Sequence, residues 1–273
     1  MKDYIPSRQI PRALFLTKHV LSGKVMLELN EMRKRYNEAM RSIRDAINGR
    51  IRPLGGRGLP LVTVCILTRN EERFIGQAIY SITHSQYRNT EVIVVDGMSS
   101  DKTRDIAKRL GARVIELDVV GNVGLPRHIC SLEARGGEVI VQIDADTVLT
   151  PYVITRTVTT LINGKAMIYH VAHYYYDGNT IMNLIAHYYD KYFRKPWNTT
   201  GHFIAYTQEL YKHVQFDIKA RIGEEDYGFG EKAYKKFGSH VFKFDRETIV
   251  LVSGRGYKRQ GLTNNINYIF RTI

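Results

Sequence analysis

The sequence has little of what several protein classes require. It holds two cysteines in 273 residues, Cys65 and Cys130, which are too few for a disulfide framework or a cysteine-rich zinc site. Each lies among apolar neighbours, so we expect each to be a small buried side chain. No uncharged apolar stretch reaches the roughly 18 residues of a membrane-spanning helix, and residues 1–6 lack the apolar run of a signal peptide. These absences argue against an integral membrane protein and favour a cytoplasmic one.

Acidic residues are scarce at both ends of the chain. The net charge is +13, but residues 1–60 carry 13 Lys and Arg against 5 Asp and Glu, and residues 251–273 carry 4 against none. Residues 61–250 are nearly neutral, with 23 against 22. A nucleic-acid-binding protein more often carries a basic face across its folded core, so nucleic acid is not the expected partner. Basic ends fit anionic lipid headgroups at the inner face of a membrane, an acidic partner, or solubility alone.

The N-terminal segment has the apolar spacing of a helix that ends near Asn48. Apolar residues recur there at steps of three and four, at Val25, Leu29, Met32, Tyr36, Met40, Ile43 and Ile47. Arginine and lysine fill the other positions. The pattern fits a helix packed on the domain with a solvated basic face, or one that docks on a membrane or a partner. The glycine-rich stretch 52–58 then predicts a linker, so we divide 1–58 from the rest of the chain.

From residue 61 the pattern changes to short strands that alternate with helices. The predicted strands are 61–67, 91–95, 113–117 and 139–143, and the predicted helices begin near Phe74, Asp101 and Pro126. Short β-branched runs alternating with helices are typical of parallel βαβ units. The fold class is therefore α/β, with a doubly wound, mostly parallel sheet and helices on both faces.

Polar residues follow each of the four predicted strands. In such sheets ligands bind at the carboxyl ends of the strands, which meet at one edge. The segments that follow the strands are 68–72, 96–101, 121–127 and 144–146. The last, Asp144-Ala145-Asp146, carries two carboxylates that repel each other unless a cation joins them. Hard oxygen ligands suit Mg²⁺ or Mn²⁺, so we expect one of these ions at this edge.

These motifs, in this order, resemble glycosyltransferase family 2 of the GT-A fold. The residues that carry the resemblance are 66–72, 94–103, 122–127 and 144–146, together with the Gly-Glu-Glu-Asp-Tyr segment 223–227. The resemblance implies a GT-A domain over 59–254, with a nucleotide-binding half (61–150) and an acceptor half (151–254), followed by a basic tail (255–273). The Gln-x-x-Arg-Trp motif of processive synthases is not evident, which argues against a polymerase.

The resemblance also implies a nucleotide-diphosphate sugar donor, UDP- or GDP-linked, and an inverting, metal-dependent transfer. The donor-binding residues it implies are Thr68, Asn70, Glu71, Asp96, Arg127 and Asp144. Asp146 with Asp144 would hold the metal that acts as a Lewis acid for the leaving group. Asp226 is the expected catalytic base, although it could equally cap the helix that follows it.

Several alternatives remain open. A sugar-phosphate nucleotidyltransferase would need a glycine-rich loop after the first strand, where this chain has Thr-Arg-Asn-Glu. A non-catalytic nucleotide- or glycan-binding relative would have the same fold. The acceptor could be a glycan, a lipid or a polyprenyl phosphate. Region 166–213 is rich in aromatic residues that could stack on sugars or fill the core, and we expect its four histidines (His170, His173, His187 and His202) to be structural.

Overall fold

A computed structural model describes residues 23–54, 58–134, 137–164, 166–220 and 223–255 of the chain. Within them lies one mixed, mostly parallel sheet in the order β3-β2-β1-β4-β7-β6-β8-β5. The strands are β1 (Val62–Thr68), β2 (Thr90–Asp96), β3 (Arg113–Glu116), β4 (Val139–Asp144), β5 (Val148–Leu149), β6 (Ile168–Tyr175), β7 (Ile204–Thr207) and β8 (Phe242–Val252). β1 to β4 match the four predicted strands to within one or two residues, and they pair in parallel.

Helices cover both faces of the sheet, as the α/β prediction requires. They are α1 (Gly23–Ile47), α2 (Ile75–Thr83), α3 (Thr103–Arg109), α4 (Gly124–Glu133), α5 (Val153–Ile162), α6 (Thr180–Tyr188), α7 (Gln208–Tyr211) and α8 (Glu225–Phe237). Side chains of α2, α3 and α5 pack in a core on one face, and side chains of α4 and α8 pack in a second core on the other. A π-helical turn (Tyr189–Phe193) extends α6, and a 3-10 turn (Ser239–Val241) leads into β8.

The second half of the sheet changes strand direction. β7 pairs antiparallel with both β4 and β6, and β8 runs parallel to β6. This half contains the aromatic residues of region 166–213, and most of them are core side chains. Tyr169, Tyr174 and Tyr206 are buried, whereas Tyr192 and Phe193 are about half exposed. Of the two alternatives left open by the sequence, core packing therefore holds for most of these aromatics, and Tyr192 and Phe193 of the π-helical turn remain exposed.

Helix α1 packs against the second half of the sheet through its predicted apolar face. Leu29, Met32, Tyr36 and Ile43 are buried in a third core, which they share with side chains of β6 and β8. Of the charged positions between them, Lys34, Glu38 and Arg41 are exposed and the others are partly exposed. The geometry is that of a packed helix with a solvated basic face. The residues before Gly23 and the tail after Arg255 lie outside the described part of the chain.

The two cysteines correct one prediction. Cys65 of β1 and Cys130 of α4 are both fully buried, as expected, but they are joined in a disulfide rather than lying apart as separate small side chains. Parallel βαβ geometry places α4 across β1, so residues 65 positions apart meet in the second core. Spacing in the sequence gives no sign of this contact.

No helix within the described ranges combines the length and the apolar run needed to cross a membrane.

Candidate active site

The strand ends bring the predicted donor-binding residues to one edge of the sheet. In register, Thr68 of β1 lies beside Asp96 of β2, and Leu67 of β1 lies beside Asp144 of β4. Three adjacent parallel strands therefore end at the same level. The polar segments that follow them share this edge, as the alternation of strands and helices predicted.

Asp96 is fully buried and its carboxylate is held from two directions. Thr68 Oγ1 donates to Asp96 Oδ2 at 2.9 Å, and the backbone N–H of Ser99 donates to Asp96 Oδ1 at 2.9 Å. Asn70 braces the same loop, since its Oδ1 accepts from the backbone N–H of Ser100 at 2.8 Å. Asn70 adopts a left-handed backbone conformation with φ of 55°, which asparagine tolerates better than most residues. Thr68, Asn70 and Asp96 thus form one hydrogen-bonded frame at the edge.

Glu71 extends this frame toward the far side of the sheet. Its backbone N–H donates to Thr103 Oγ1 at 2.7 Å, and its Oε1 pairs with Nη2 of Arg255 at 2.6 Å. Oε2 of Glu71 is buried and has no hydrogen-bond partner in the described part of the chain. Burial raises the pKa of Glu71, and the Arg255 charge only partly offsets it.

Asp144 ends β4 between the guanidinium of Arg127 and the imidazole ring of His202. Arg127 Nη2 donates to Asp144 Oδ1 at 2.9 Å, and His202 Nδ1 lies 3.1 Å from Asp144 Oδ2. Burial alone would raise the pKa of Asp144, but the hydrogen bond with His202 and the charge of Arg127 outweigh it and lower the pKa. Burial likewise opposes the positive charge on His202, yet its contact with Asp144 raises the pKa of His202. Asp144 is therefore an anion at neutral pH.

Asp146 has a different environment from Asp144, two residues away. Burial and the nearby negative charge of Asp144 raise the pKa of Asp146 to about 6. Its Oδ2 accepts from Nε of Arg255 at 3.0 Å. A carboxylate whose charge is opposed by its surroundings gains most from a nearby cation.

Arg127 is the buried centre of the site rather than a surface side chain. It is 2% exposed and its guanidinium pairs with Asp144 and, at 3.4 Å, with Glu225 at the start of α8. Arg127 therefore links the donor edge to the Glu-Asp segment. Its Nη1 is buried without a hydrogen-bond partner among the described residues.

Asp226, the expected base, lies across the cleft in the first turn of α8. Its Oδ2 accepts from the backbone N–H of Gly201, and its Oδ1 accepts from the backbone N–H of Tyr227 at 2.7 Å. Burial raises the pKa of Asp226, and burial raises the pKa of Glu225 to about 7, although the Arg127 charge opposes both shifts. Glu225 and Asp226 are thus two adjacent buried carboxyl groups near the single positive charge of Arg127. Because two neighbouring buried negative charges are unfavourable, this pair readily holds a proton.

Gly201 lets the two sides of the cleft approach each other. A Cβ built on Gly201 would collide with Nη2 of Arg127 and lie 3.0 Å from Asp144 Oδ1. Only glycine leaves room for the Arg127–Asp144 pair beside the N–H that holds Asp226. The lack of space for a side chain, rather than an unusual backbone conformation, explains why position 201 is a glycine.

Three residues at the site were not predicted from the sequence: Gly201, His202 and Arg255. Of the four histidines expected to be structural, His202 lies at the site with its ring facing Asp144, and its structural role stays a prediction. His170, His173 and His187 are buried in the fold, as expected. No spacing pattern marks His202 or Arg255, because antiparallel pairing of β7 and the long strand β8 bring them to the edge.

The donor set can be tested for its fit to a divalent cation. Asp144 and Asp146 offer carboxylate oxygens, which suit Mn²⁺ or Mg²⁺, and His202 offers an imidazole nitrogen, a ligand more typical of transition metals than of Mg²⁺. The buried, unpaired oxygen of Glu71 adds an orphaned acceptor beside them. Among the described residues the group of three ligand-type atoms within 4.8 Å is elsewhere, at Glu28, Glu31 and His187. There, Lys191 Nζ already bonds to both glutamates.

An α/β sheet whose edge carries an Asp-x-Asp motif facing a Glu-Asp pair defines a GT-A type site. The comparisons agree with this class. The glycosyl transferase family 2 model matches residues 63–221, more than half of the chain, and the chain belongs to that family.

Curated relatives share part of the chain. An uncharacterized glycosyltransferase of Rickettsia typhi is 39% identical over 89 residues, covering 33% of this chain and 29% of the relative. A dolichyl-phosphate hexose transferase of Haloferax volcanii is 42% identical over 60 residues, covering 22% and 26%. The alignments thus span under a third of these relatives' lengths.

Solved structures share the fold at low identity. Glucosyl-3-phosphoglycerate synthase of Mycobacterium tuberculosis, solved with Mn²⁺, UDP-glucose and phosphoglyceric acid, has a TM-score of 0.57 at 20% identity, covering 78% of this chain and 79% of that one. A mannosyltransferase of Pyrobaculum calidifontis, solved with GDP-mannose and Mn²⁺, has a TM-score of 0.57 at 19% identity, covering 86% and 71%. These likenesses confirm the predicted GT-A fold.

Proposed function

We propose that this protein is a metal-dependent, inverting glycosyltransferase that moves a sugar from a UDP- or GDP-linked donor to an acceptor. The observation that carries the proposal is the placement of Asp144 and Asp146 at the strand edge, directly across from Glu225 and Asp226, with Arg127 linking the two sides. Family membership and the nucleotide-sugar ligands of the two solved neighbours support it. The domain limits proposed from the sequence, with a donor half at 61–150 and an acceptor half at 151–254, fit this division.

The donor's nucleotide would lie against the frame formed by Thr68, Asn70, Glu71 and Asp96. Carboxylates accept hydrogen bonds from base N–H groups and ribose hydroxyls, which is the role proposed for Asp96 and Glu71. Asp96 is already held by Thr68 and Ser99, so its orientation is fixed before a ligand binds. Arg127 would act through Asp144 and Glu225, and its unpaired Nη1 is the atom left for a donor oxygen.

Asp146 and Asp144 would hold the divalent cation, with His202 as a further candidate ligand. With a proton on Nδ1 facing Asp144, Nε2 of His202 keeps a lone pair for a metal, as in many carboxylate–histidine pairs. When bound, the cation would supply Lewis-acid stabilisation of the leaving diphosphate. The protein's own part is to hold these oxygens in a largely buried edge, where charges interact more strongly than in water.

Asp226 is the proposed base. A sugar-acceptor hydroxyl is a weak nucleophile at neutral pH, and a carboxylate within reach can take its proton as the new bond forms on the face opposite the leaving diphosphate. The raised pKa of Asp226 favours proton uptake. Gly201 and Tyr227 orient the carboxylate through their backbone N–H groups.

A polyprenyl phosphate is the second candidate acceptor. The similarity to a dolichyl-phosphate hexose transferase favours it, and such a phosphate is already ionised and needs no base. Basic residues on α1 would then rest on an anionic membrane surface, since Lys34, Arg41 and Arg44 are exposed on one face of this helix, with Glu38 among them. We propose a cytoplasmic protein with such peripheral contact. Sedimentation with vesicles of phosphatidylglycerol, weakening from low salt to 0.15 M salt, is the test.

The proposal is tested by a thermal-shift screen of nucleotides and nucleotide sugars with Mn²⁺ and with EDTA. A ligand at about 100 times its dissociation constant stabilises by roughly 2.7 kcal/mol, which is easily measured. We expect UDP- or GDP-sugars to stabilise the protein in Mn²⁺ and to lose most of that effect in EDTA. Stabilisation without sugar transfer to any acceptor would indicate a non-catalytic relative, and stabilisation by nucleoside triphosphates and sugar phosphates would indicate a nucleotidyltransferase.

A further inference from the structure

Arg255 closes the edge of the site opposite Arg127. It lies just beyond the end of β8, and its guanidinium stacks 4.6 Å from the ring centroid of Phe74. Its Nε donates to Asp146 Oδ2 at 3.0 Å and its Nη2 donates to Glu71 Oε1 at 2.6 Å. One cation therefore joins the second aspartate of the Asp-x-Asp motif to the proposed nucleotide-binding loop.

One of these contacts involves Asp146, a carboxylate proposed to hold the divalent cation, and the other involves Oε1 of Glu71 rather than its unpaired Oε2. A carboxylate oxygen that accepts a hydrogen bond from a guanidinium N–H lies next to a positive charge. That charge repels a metal ion that approaches the same oxygen. Arg255 and a metal ion thus have the same partner, and the two positive charges repel each other there.

An Arg255 displaced from Asp146 keeps Glu71 within reach, and the donor would bring a further anion to the same edge. In the proposed function the diphosphate lies against the cation held by Asp146, within the range of a long, flexible arginine side chain that starts at the same edge. A guanidinium pairs with phosphate oxygens in the same forked geometry that it uses for carboxylates. Arg255 is 43% exposed, so such a movement meets little packing.

We propose that Arg255 is a positioning residue that competes with the divalent cation for Asp146 and pairs with the donor diphosphate once the cation displaces it. This inference rests on the proposed function. It predicts that removal of this one side chain has two effects of opposite sign. Loss of Arg255 should strengthen cation binding in the free protein and weaken donor binding in the presence of the cation.

The experiment measures Mn²⁺ binding to the full chain by the electron paramagnetic resonance signal of free Mn²⁺, followed by calorimetric titration of UDP-glucose and GDP-mannose at saturating Mn²⁺. The proteins are the wild type, Arg255→Gln, Arg255→Lys and Arg50→Gln. Arg50 is a matched control, since it is an exposed arginine paired with Asp45. For Arg255→Gln we expect Mn²⁺ to bind about tenfold more tightly and the donor to bind about tenfold more weakly, as for loss of one charge-assisted pair. Arg50→Gln should match the wild type in both.

Arg255→Lys keeps the charge but loses the fork, so it should shift both affinities in the same directions by less. If Arg255→Gln does not fold, the Mn²⁺ and donor affinities of Arg255→Lys test the inference in its place. Mn²⁺ affinity that is unchanged or weaker in the Arg255 variants, while the wild type binds Mn²⁺, would overturn this inference and leave the proposed function standing. Absence of Mn²⁺ binding in the wild type and in Asp146→Asn alike would instead remove the metal from the proposed function.

Discussion

The two halves of the proposed domain, the donor half (61–150) and the acceptor half (151–254), build their parts of the site in different ways. In the donor half, β1, β2 and β4 run parallel and end in register, so each strand delivers one polar segment to the shared edge. In the acceptor half, β7 runs against its neighbours, and side chains reach the site from strand starts, turns and the end of β8. In the donor half, strand order alone sets the positions of the site side chains. In the acceptor half, these positions depend on the pairing of distant strands and on the close approach of side chains at Gly201.

The difference extends to how charge is arranged. The donor half holds Asp96 with neutral donors from Thr68 and Ser99 at 2.9 Å. The one cation paired with Asp96 within the described ranges, the partly exposed Arg104, lies farther away at 3.8 Å. At the junction with the acceptor half, Asp144, Glu225 and Asp226 share the buried charge of Arg127. We call these four residues, Arg127, Asp144, Glu225 and Asp226, the junction. It is where the gain of a proton or the binding of a charged ligand changes the electrostatic energy most.

The largest effect is expected at the junction itself. Asp226→Asn cannot take a proton, so turnover on a hydroxyl acceptor should fall by about 10²–10⁴-fold. Both oxygens of Asp226 accept from backbone N–H groups, so the amide leaves one donor unpaired and should also cost about 1–3 kcal/mol of stability. Turnover and urea unfolding measure the two effects separately. Glu225→Gln is the control and should reduce turnover less; full turnover in Asp226→Asn would point to a phosphate acceptor or to another base.

The packing of α1 on the acceptor half is tested by a pair of substitutions on one helix. Met32 is 1% exposed, so Met32→Ala should lower the free energy of unfolding by about 2–5 kcal/mol. Leu27 is 70% exposed, and Leu27→Ala should change it by less than about 0.5 kcal/mol. Chemical denaturation measures both. Similar small effects for the two would mean that α1 is a detachable extension, as the boundary drawn at residue 58 implies.

Close approach at the junction is tested at two glycines. Gly201→Ala should displace the Arg127–Asp144 pair, at a cost typical of overpacking, about 1–3 kcal/mol, and weaken donor binding about tenfold. A Cβ at Gly228, on α8, meets no atom within 4 Å among the described residues, so Gly228→Ala should leave donor binding unchanged. Calorimetric titration of the donor into each variant measures the two affinities. Equal donor affinity in Gly201→Ala and the wild type would contradict the steric role.

The smallest effect concerns the attachment of α1 through Glu28. Burial alone would raise the pKa of Glu28, but hydrogen bonds from Tyr192, Lys191 and His187 lower it to about 2 from an ordinary 4.5. A lowered pKa stabilises the folded state above pH 4.5, and this stability is lost as the pH falls toward 2. Between pH 4.5 and 3 the loss should be about 1–2 kcal/mol.

Glu28→Gln should be less stable than the wild type at pH 7 and should show a flatter pH dependence of the free energy of unfolding below pH 4.5. Glu38→Gln, at an exposed position of the same helix, is the control. Parallel pH curves for the wild type and Glu28→Gln would show that the cluster around Glu28 does not hold α1.

Much of the donor half could be predicted from the sequence, because its elements follow local rules. Apolar runs set β1 to β4, and the chirality of βαβ units sets their common edge, so Asp96 and Asp144 were expected together. The acceptor half could not be predicted in the same way. The positions of His202 and Arg255 depend on which distant strands pair, and the Cys65–Cys130 contact depends on where α4 crosses the sheet. The burial of most tyrosines in region 166–213 was equally undetermined, since an aromatic residue suits a core or a sugar-binding surface alike.

The central claim is that Asp146 joins a divalent cation to the diphosphate of a nucleotide sugar. The most direct test is calorimetric titration of UDP-glucose and GDP-mannose into the wild type and Asp146→Asn, each in Mn²⁺ and in EDTA. The account predicts that the wild type binds at least one donor at least about tenfold, or about 1.4 kcal/mol, more tightly in Mn²⁺ than in EDTA, and that Asp146→Asn loses this difference. A loss of affinity in Asp146→Asn that is equal in Mn²⁺ and EDTA would contradict the claim.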